Sequence, residues 1–214
     1  MTALRTARKI ALAVLIVILT ATVTSRWWTL QIGRSLVCTE DISRSDALLV
    51  ENFDPTYVLF ERAAELTSAG VAPTALIPVA ASSQGVVNPI SSGIAEVMAR
   101  HARLRAWRVI PVIYTEPFSL NAALQIRQRL IGEGIRSIVV VAPGFRSRRS
   151  VLVYRATLGT AGIEVRCSPA FNRATPENWT ETSHGIMDVA EESLKLQYYR
   201  LYILPFRAPR TPKG

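Results

Sequence analysis

The stretch VVVAPGFRSRRS, Val139 to Ser150, places Arg146, Arg148 and Arg149 a few residues past the end of an apolar run. A Pro-Gly step separates that run from a helical stretch beginning at Arg148. Unpaired N–H groups and the positive dipole end of such a helix already favour an anion. Three guanidinium groups beside it make a cradle for a phosphate, sulfate or carboxylate. Successive residues on a helix point in different directions, so one or two of the three would face a ligand and the others would be solvated or paired with Glu133 or Glu164. Upstream, Glu116, Ser119 and Asn121 form a second polar group after another apolar run. An ionised Glu116 accepts hydrogen bonds only, which suits it to orienting a hydroxyl or amine, or to pairing with an arginine across two loops. Ser119 has the side chain to cap a following helix. Asn52, Ser82 and Ser83 complete the candidate ligand-binding set, each just past an apolar run.

These residues share a site only if the runs before them lie side by side. Five do so by pattern: Asp46 to Asn52, Thr74 to Ser82, Trp107 to Glu116, Arg136 to Pro143 and Gly162 to Pro169. They are apolar without alternation, as strands covered on both faces are. Helical stretches lie between them: Pro55 to Ala69, Ile94 to Leu104, Ser119 to Ile131 and Arg148 to Leu158, with a last one from Ile186. Alternating strands and helices predict an α/β fold, a Rossmann-like three-layer sandwich around a mostly parallel sheet of about five strands. In such a sheet ligands bind beyond the carboxyl ends of the strands, where these polar loops converge. Pro78 and Pro111 each lack a ladder donor, so their strands are expected near an edge or irregular at those points. Tyr198 to Arg210, aromatics mixed with arginines, either closes the domain or rests on a membrane surface.

Residues 1–30 read as a basic stub and membrane anchor. Arg5, Arg8 and Lys9 precede an uncharged run from Ile10 to Ser25, which Arg26, Trp27 and Trp28 follow. The tryptophans extend the span toward the roughly 20 residues a crossing helix needs. They favour a retained transmembrane helix over a cleaved signal segment. The basic flank predicts a single pass with the N-terminus in the cytoplasm and the following domain outside, at the cytoplasmic membrane. Residues 31–45 read as a linker, 46–204 as the α/β domain and 205–214 as a basic tail.

The net charge of +9 comes mostly from arginine. Its cations are scattered over the chain with no recognition-helix or aromatic ribonucleoprotein pattern, which argues against a nucleic-acid partner. His101 and His184 lack ligands at metal spacing. Cys38 and Cys167 either stay apart or form one disulfide in an oxidising compartment. P-loop, G-x-G-x-x-G and G-x-S-x-G motifs are absent from the sequence.

The order of segments resembles the ElyC/SanA/YdcF family of bacterial envelope proteins over Asp46 to Leu204. Its marks are E-x-x-S-x-N at Glu116, Ser119 and Asn121, the pair Arg148 and Arg149, and E-x-x-K-x-x-Y-Y at Glu192, Lys195, Tyr198 and Tyr199. The resemblance implies a Rossmann-like domain behind one membrane helix and a role in envelope homeostasis, with S-adenosylmethionine as a cofactor suggested for some members. Departures are as informative. The loop VENFDP after the first strand has no glycine, and Ala142, Pro143 and Arg146 stand where the family often has Thr, Ser and His. The expectation is an anchored extracytoplasmic domain that binds an anionic small molecule or envelope precursor. The alternative is a non-catalytic envelope interaction protein with a degenerate site.

Overall fold

The computed structural model describes residues 2–39 and 42–208, with side chains from Ile10 onward. The side chains of Arg5, Arg8 and Lys9 and the tail 209–214 lie outside the described residues. Helix α1 (Thr2–Ser35) is followed by β1 (Ala47–Val50), α2 (Tyr57–Ser68), β2 (Ala75–Ala81), α3 (Pro89–His101), β3 (Trp107–Ile113) and α4 (Phe118–Gly132). Then come β4 (Ser137–Pro143), α5 (Ser147–Leu158), β5 (Glu164–Ala170) and α6 (Ser183–Tyr198), which runs through a π turn, Tyr199–Ile203, into α7 (Leu204–Arg207).

All five strands are parallel, in the order β3-β2-β1-β4-β5. The chain works outward from β1 to β3, then returns to pair β4 against β1, with Leu48 opposite Val139 and Leu49 opposite Val140. This reversal between β1 and β4 is the topological switch point, where the loops after the two strands diverge and open a crevice. Successive side chains of a strand face opposite ways. Leu48, Val50, Val139 and Val141 therefore pack under α2 and α3 with Leu59, Phe60 and Ala63. Leu49, Ile138 and Val140 pack on the other side with Ile126, Leu130, Tyr154 and Leu158 of α4 and α5. The expected α/β three-layer fold is thus the observed one, with α6 as an addition beyond β5.

Pro111 lies on the edge strand β3, as expected, but Pro78 lies on β2, inside the sheet. Its missing donor costs nothing there because the β1–β2 pairing ends at Leu49 and Leu76. Beyond that point the Asn52 amide donates to the Pro78 carbonyl at 3.3 Å, so a side chain takes over where β1 stops.

Helix α1 is apolar and unburied from Ile10, with a mean hydropathy of 1.9, and is long enough to cross a membrane. At 1.5 Å per residue its 34 residues span about 50 Å, beyond the ~30 Å of a hydrocarbon core. The segment expected as a linker is in part continuous helix. Helix α1 runs to Ser35, and Leu36, Val37 and Cys38 are buried. Trp179 donates its indole N–H to the Thr29 carbonyl at 2.9 Å, and Gly33 passes so close to Pro176 and Trp179 that a Cβ would crowd them. The end of α1 is therefore seated on the domain by packing as well as by chain connection.

Cys38 and Cys167 form a disulfide, with Cα atoms 6.4 Å apart and both side chains buried against Val151. It links the segment just after α1 to β5 across 129 residues of sequence. Closing so long a loop restricts the unfolded chain. We expect a Cys38→Ser, Cys167→Ser variant of the full chain to lose about 2–5 kcal/mol of stability, read by urea unfolding in detergent, and reductant to do the same to the parent. Unchanged midpoints in both would show that the bond does not hold the fold.

Candidate site at the carboxyl end of the sheet

The turn from β4 into α5 is built tightly. Gly144 lies against the Phe171 ring with no room for a Cβ, and the Phe145 and Phe171 rings meet edge to face at 5.9 Å. Ser147 donates to the Gly144 carbonyl and accepts from the Cys38 N–H, fixing the turn and the incoming chain together.

The three arginines that follow are not equivalent. Arg149 is buried, and its Nε and Nη2 donate to the two oxygens of Glu192 on α6 at 2.8 and 3.0 Å. Its Nη1 donates to Ser119 Oγ at 3.0 Å, and the Tyr199 ring lies 5.4 Å from the guanidinium carbon. Burial works against the Arg149 charge, but the hydrogen bonds and charge of Glu192 outweigh it and hold the guanidinium above its ordinary pKa. Arg148 is exposed and turned the other way, donating from its side chain to the Val37 carbonyl at 2.7 Å and from its backbone to Leu36. It bonds the carbonyls that follow α1 and does not line the cleft described below. Arg146, half-buried, shares Glu192 at 3.4 Å and lies 3.9 Å from Asp54.

The β3–α4 turn follows the same economy. Pro117 at the start of α4 has no side-chain acceptor, so Glu116 accepts from the Phe118 N–H at 3.0 Å, and the Tyr199 hydroxyl accepts from the Ser119 N–H at 3.2 Å. Ser119, expected as a cap, lies within α4 and uses its hydroxyl to accept from Arg149. Asn121 donates to the Thr115 carbonyl, closing the turn behind it. Just after β2 the Ser82 hydroxyl accepts from the Val86 N–H in a loop that includes Ser83. The structure thus brings Ser119 and Arg149 together, with Arg146 joined to them through Glu192. It leaves Arg148, Ser82 and Ser83 apart, gives Glu116 and Asn121 bonds within their own turn, and bonds Asn52 to β2.

An open cleft of about 730 Å³ lies beside this cluster. The loops after β4 and β5 form one wall, with Arg146, Asn172 and Arg173, and Asp54 borders it from the β1–α2 loop. The facing wall is α6, which presents His184, Asp188, Glu191 and Lys195. Lys195 is paired with Glu191, whose carboxyl this hydrogen bond holds below its usual pKa. Asp188 is pushed up, by burial first and then by the charge of Glu191. Arg173 is exposed, and its guanidinium has no hydrogen-bond or ion-pair partner among the described residues. The cleft therefore presents cations and carboxylates on facing walls, where the sequence suggested cations alone. The α6 residues lie at spacings of four, three and four, one side of a helix, of which an expected start at Ile186 left out only His184. Thr182 caps the helix earlier, accepting from the Gly185 N–H at 3.0 Å.

Beneath the switch point Glu51 is buried and accepts from the Ser150 hydroxyl at 2.7 Å. The Asn52 Oδ1 and the Tyr154 hydroxyl are buried without a hydrogen-bond partner among the described residues. Neither Glu51 nor Asn52 lines the cleft, and the loop they open contains no glycine. This loop does not provide the close backbone approach that a Rossmann-type cofactor such as S-adenosylmethionine requires after the first strand, and no step is derived through one. Among the described residues no group of three or more His, Cys, Asp or Glu side chains is placed to hold a metal ion. Comparisons with family models, curated proteins and solved structures return no match for this chain.

Burial raises the Glu51 pKa, against the lowering effects of Arg146 and Arg149. The folded protein therefore binds the Glu51 proton more tightly than the unfolded chain does. The resulting stability is full below the ordinary value of 4.5 and declines as pH rises through the raised one. We expect the full-length Glu51→Gln variant to gain on the parent as pH rises from 4 toward 7, in paired urea titrations, because the other titrating groups cancel in the difference. A gap that stays constant with pH would contradict the assignment.

Proposed function

We propose that the protein is a single-pass, membrane-anchored domain of the bacterial cell envelope that binds a small polar molecule carrying an anionic group in the strand-end cleft. The observation that carries this reading is the cleft itself, where Arg173 is unpartnered and Arg146 is half-buried opposite Asp188 and His184. The arginines suit a phosphate or carboxylate, while Asp188 and Asp54 suit a hydroxyl or amine on the same molecule. An extracytoplasmic position is supported by Arg5, Arg8 and Lys9 ahead of the apolar run from Ile10 and by the Cys38–Cys167 bond, which belongs in an oxidising compartment. The resemblance to the ElyC/SanA/YdcF family supports an envelope role.

A second reading, a non-catalytic interaction protein, draws on a different observation. Glu116, Ser119, Asn121, Arg148 and Arg149 are all committed to bonds within the protein. No side-chain nucleophile among them is bonded to a general base.

Native mass spectrometry of the full chain in nanodiscs, with a polyprenyl phosphate, a nucleotide sugar and S-adenosylmethionine as probes, separates the two. The binding reading predicts retention of a phosphate-bearing probe and roughly tenfold weaker retention in Arg173→Ala, the effect of losing one charged hydrogen-bond partner. Equal retention in parent and variant would remove the cleft assignment, and no retention of any probe would favour the interaction protein.

A further inference from the structure

Helix α6 has three faces. Gly185, Val189, Glu192 and Leu196 are buried, His184, Asp188, Glu191 and Lys195 line the cleft, and the remaining side is apolar and bare. Leu194 is 74% exposed and Phe206 73%, and Met187 and Leu201 are also mostly exposed. Tyr198, Tyr202 and Phe206 continue this surface as a contiguous row of rings 5.6 and 5.8 Å apart. Surfaces of this kind on soluble domains mark contact sites.

The position of α6 in the fold indicates what covers it. Glu192 is bound to the first turn of α5, and the Tyr199 hydroxyl to the first turn of α4. Both turns are at the carboxyl end of the sheet, so α6 lies across that end, with its bare side directed away from the domain. The anchor leaves from the same end, since Leu36 and Cys38 are bonded to Arg148 and Ser147 in the first turn of α5. Trp27 and Trp28, suited to the headgroup layer, precede the Gly33 contact with the domain by five or six residues, about 8–9 Å of helix. From Leu194 to Arg207 every charge is positive: Lys195, Arg200 and Arg207.

We propose that the bare face of α6 and α7 rests in the interfacial layer of the bilayer that α1 crosses, so that the cleft opens at the membrane surface. The apolar row enters the headgroup boundary, and the arginines meet anionic lipid. The inference rests on the membrane-spanning reading of α1.

The test uses the full chain in nanodiscs of phosphatidylethanolamine and phosphatidylglycerol, with a spin label on Leu194→Cys or Phe206→Cys and the native disulfide intact. Val17→Cys in α1 and Val97→Cys on α3 serve as bilayer and water references. Docking predicts oxygen collision rates at Leu194 and Phe206 several-fold above those of a water-soluble nickel chelate, between the two references. Values equal to those at Val97 overturn it while leaving the anchor standing if Val17 reads as bilayer. A water-like value at Val17 overturns it through the anchor itself. Spin–spin broadening between copies at Leu194 overturns it in favour of self-association.

Discussion

One buried ion pair organises the carboxyl end of this domain. Arg149 holds both oxygens of Glu192, the hydroxyl of Ser119 and the face of Tyr199, and so joins α5 to α4, to α6 and to the π turn after it. Two charges removed from water are tolerated only when geometry and additional hydrogen bonds replace their hydration. Here the bidentate contact and the Ser119 bond supply that replacement. With Glu192 held in place, α6 is fixed across the top of the domain. Its polar flank then forms a wall of the cleft, and its apolar flank is left facing outward.

The second constraint is the absence of slack between α1 and the α/β domain. Trp179, Gly33, Arg148 and the Cys38–Cys167 bond all fix the end of α1 to the loops that frame the cleft. These loops are therefore held at a set distance from the apolar stretch of α1.

Much of the fold was legible in the sequence because parallel strands buried on both faces leave unbroken apolar runs, and all five elements appear where those runs fall. The switch point followed from topology and needed no side-chain detail. The site was less legible. Arg146, Arg148 and Arg149 look alike in a string, but consecutive helical positions send one to α6, one to the anchor and one to the cleft edge. Glu192, which decides the fate of Arg149, lies 43 residues away, and nothing local announces the pairing. Asp188 was missed because nothing local shows that the polar side of its helix borders the cleft. The Cys38–Cys167 bond could not be read from two cysteines alone, since it depends on the anchor's last residues lying beside β5.

The central claim is that the arginine run serves cohesion first and leaves ligand binding to the cleft beside it. A double-mutant cycle on Arg149→Met and Glu192→Met in the full chain, read by urea unfolding in detergent, tests it most directly. The account predicts that each single change costs about 3–5 kcal/mol by stranding the partner's charge. The double variant should then cost well under the sum of the two. Additive, small effects would contradict it and return Arg149 to the set of residues available to a ligand.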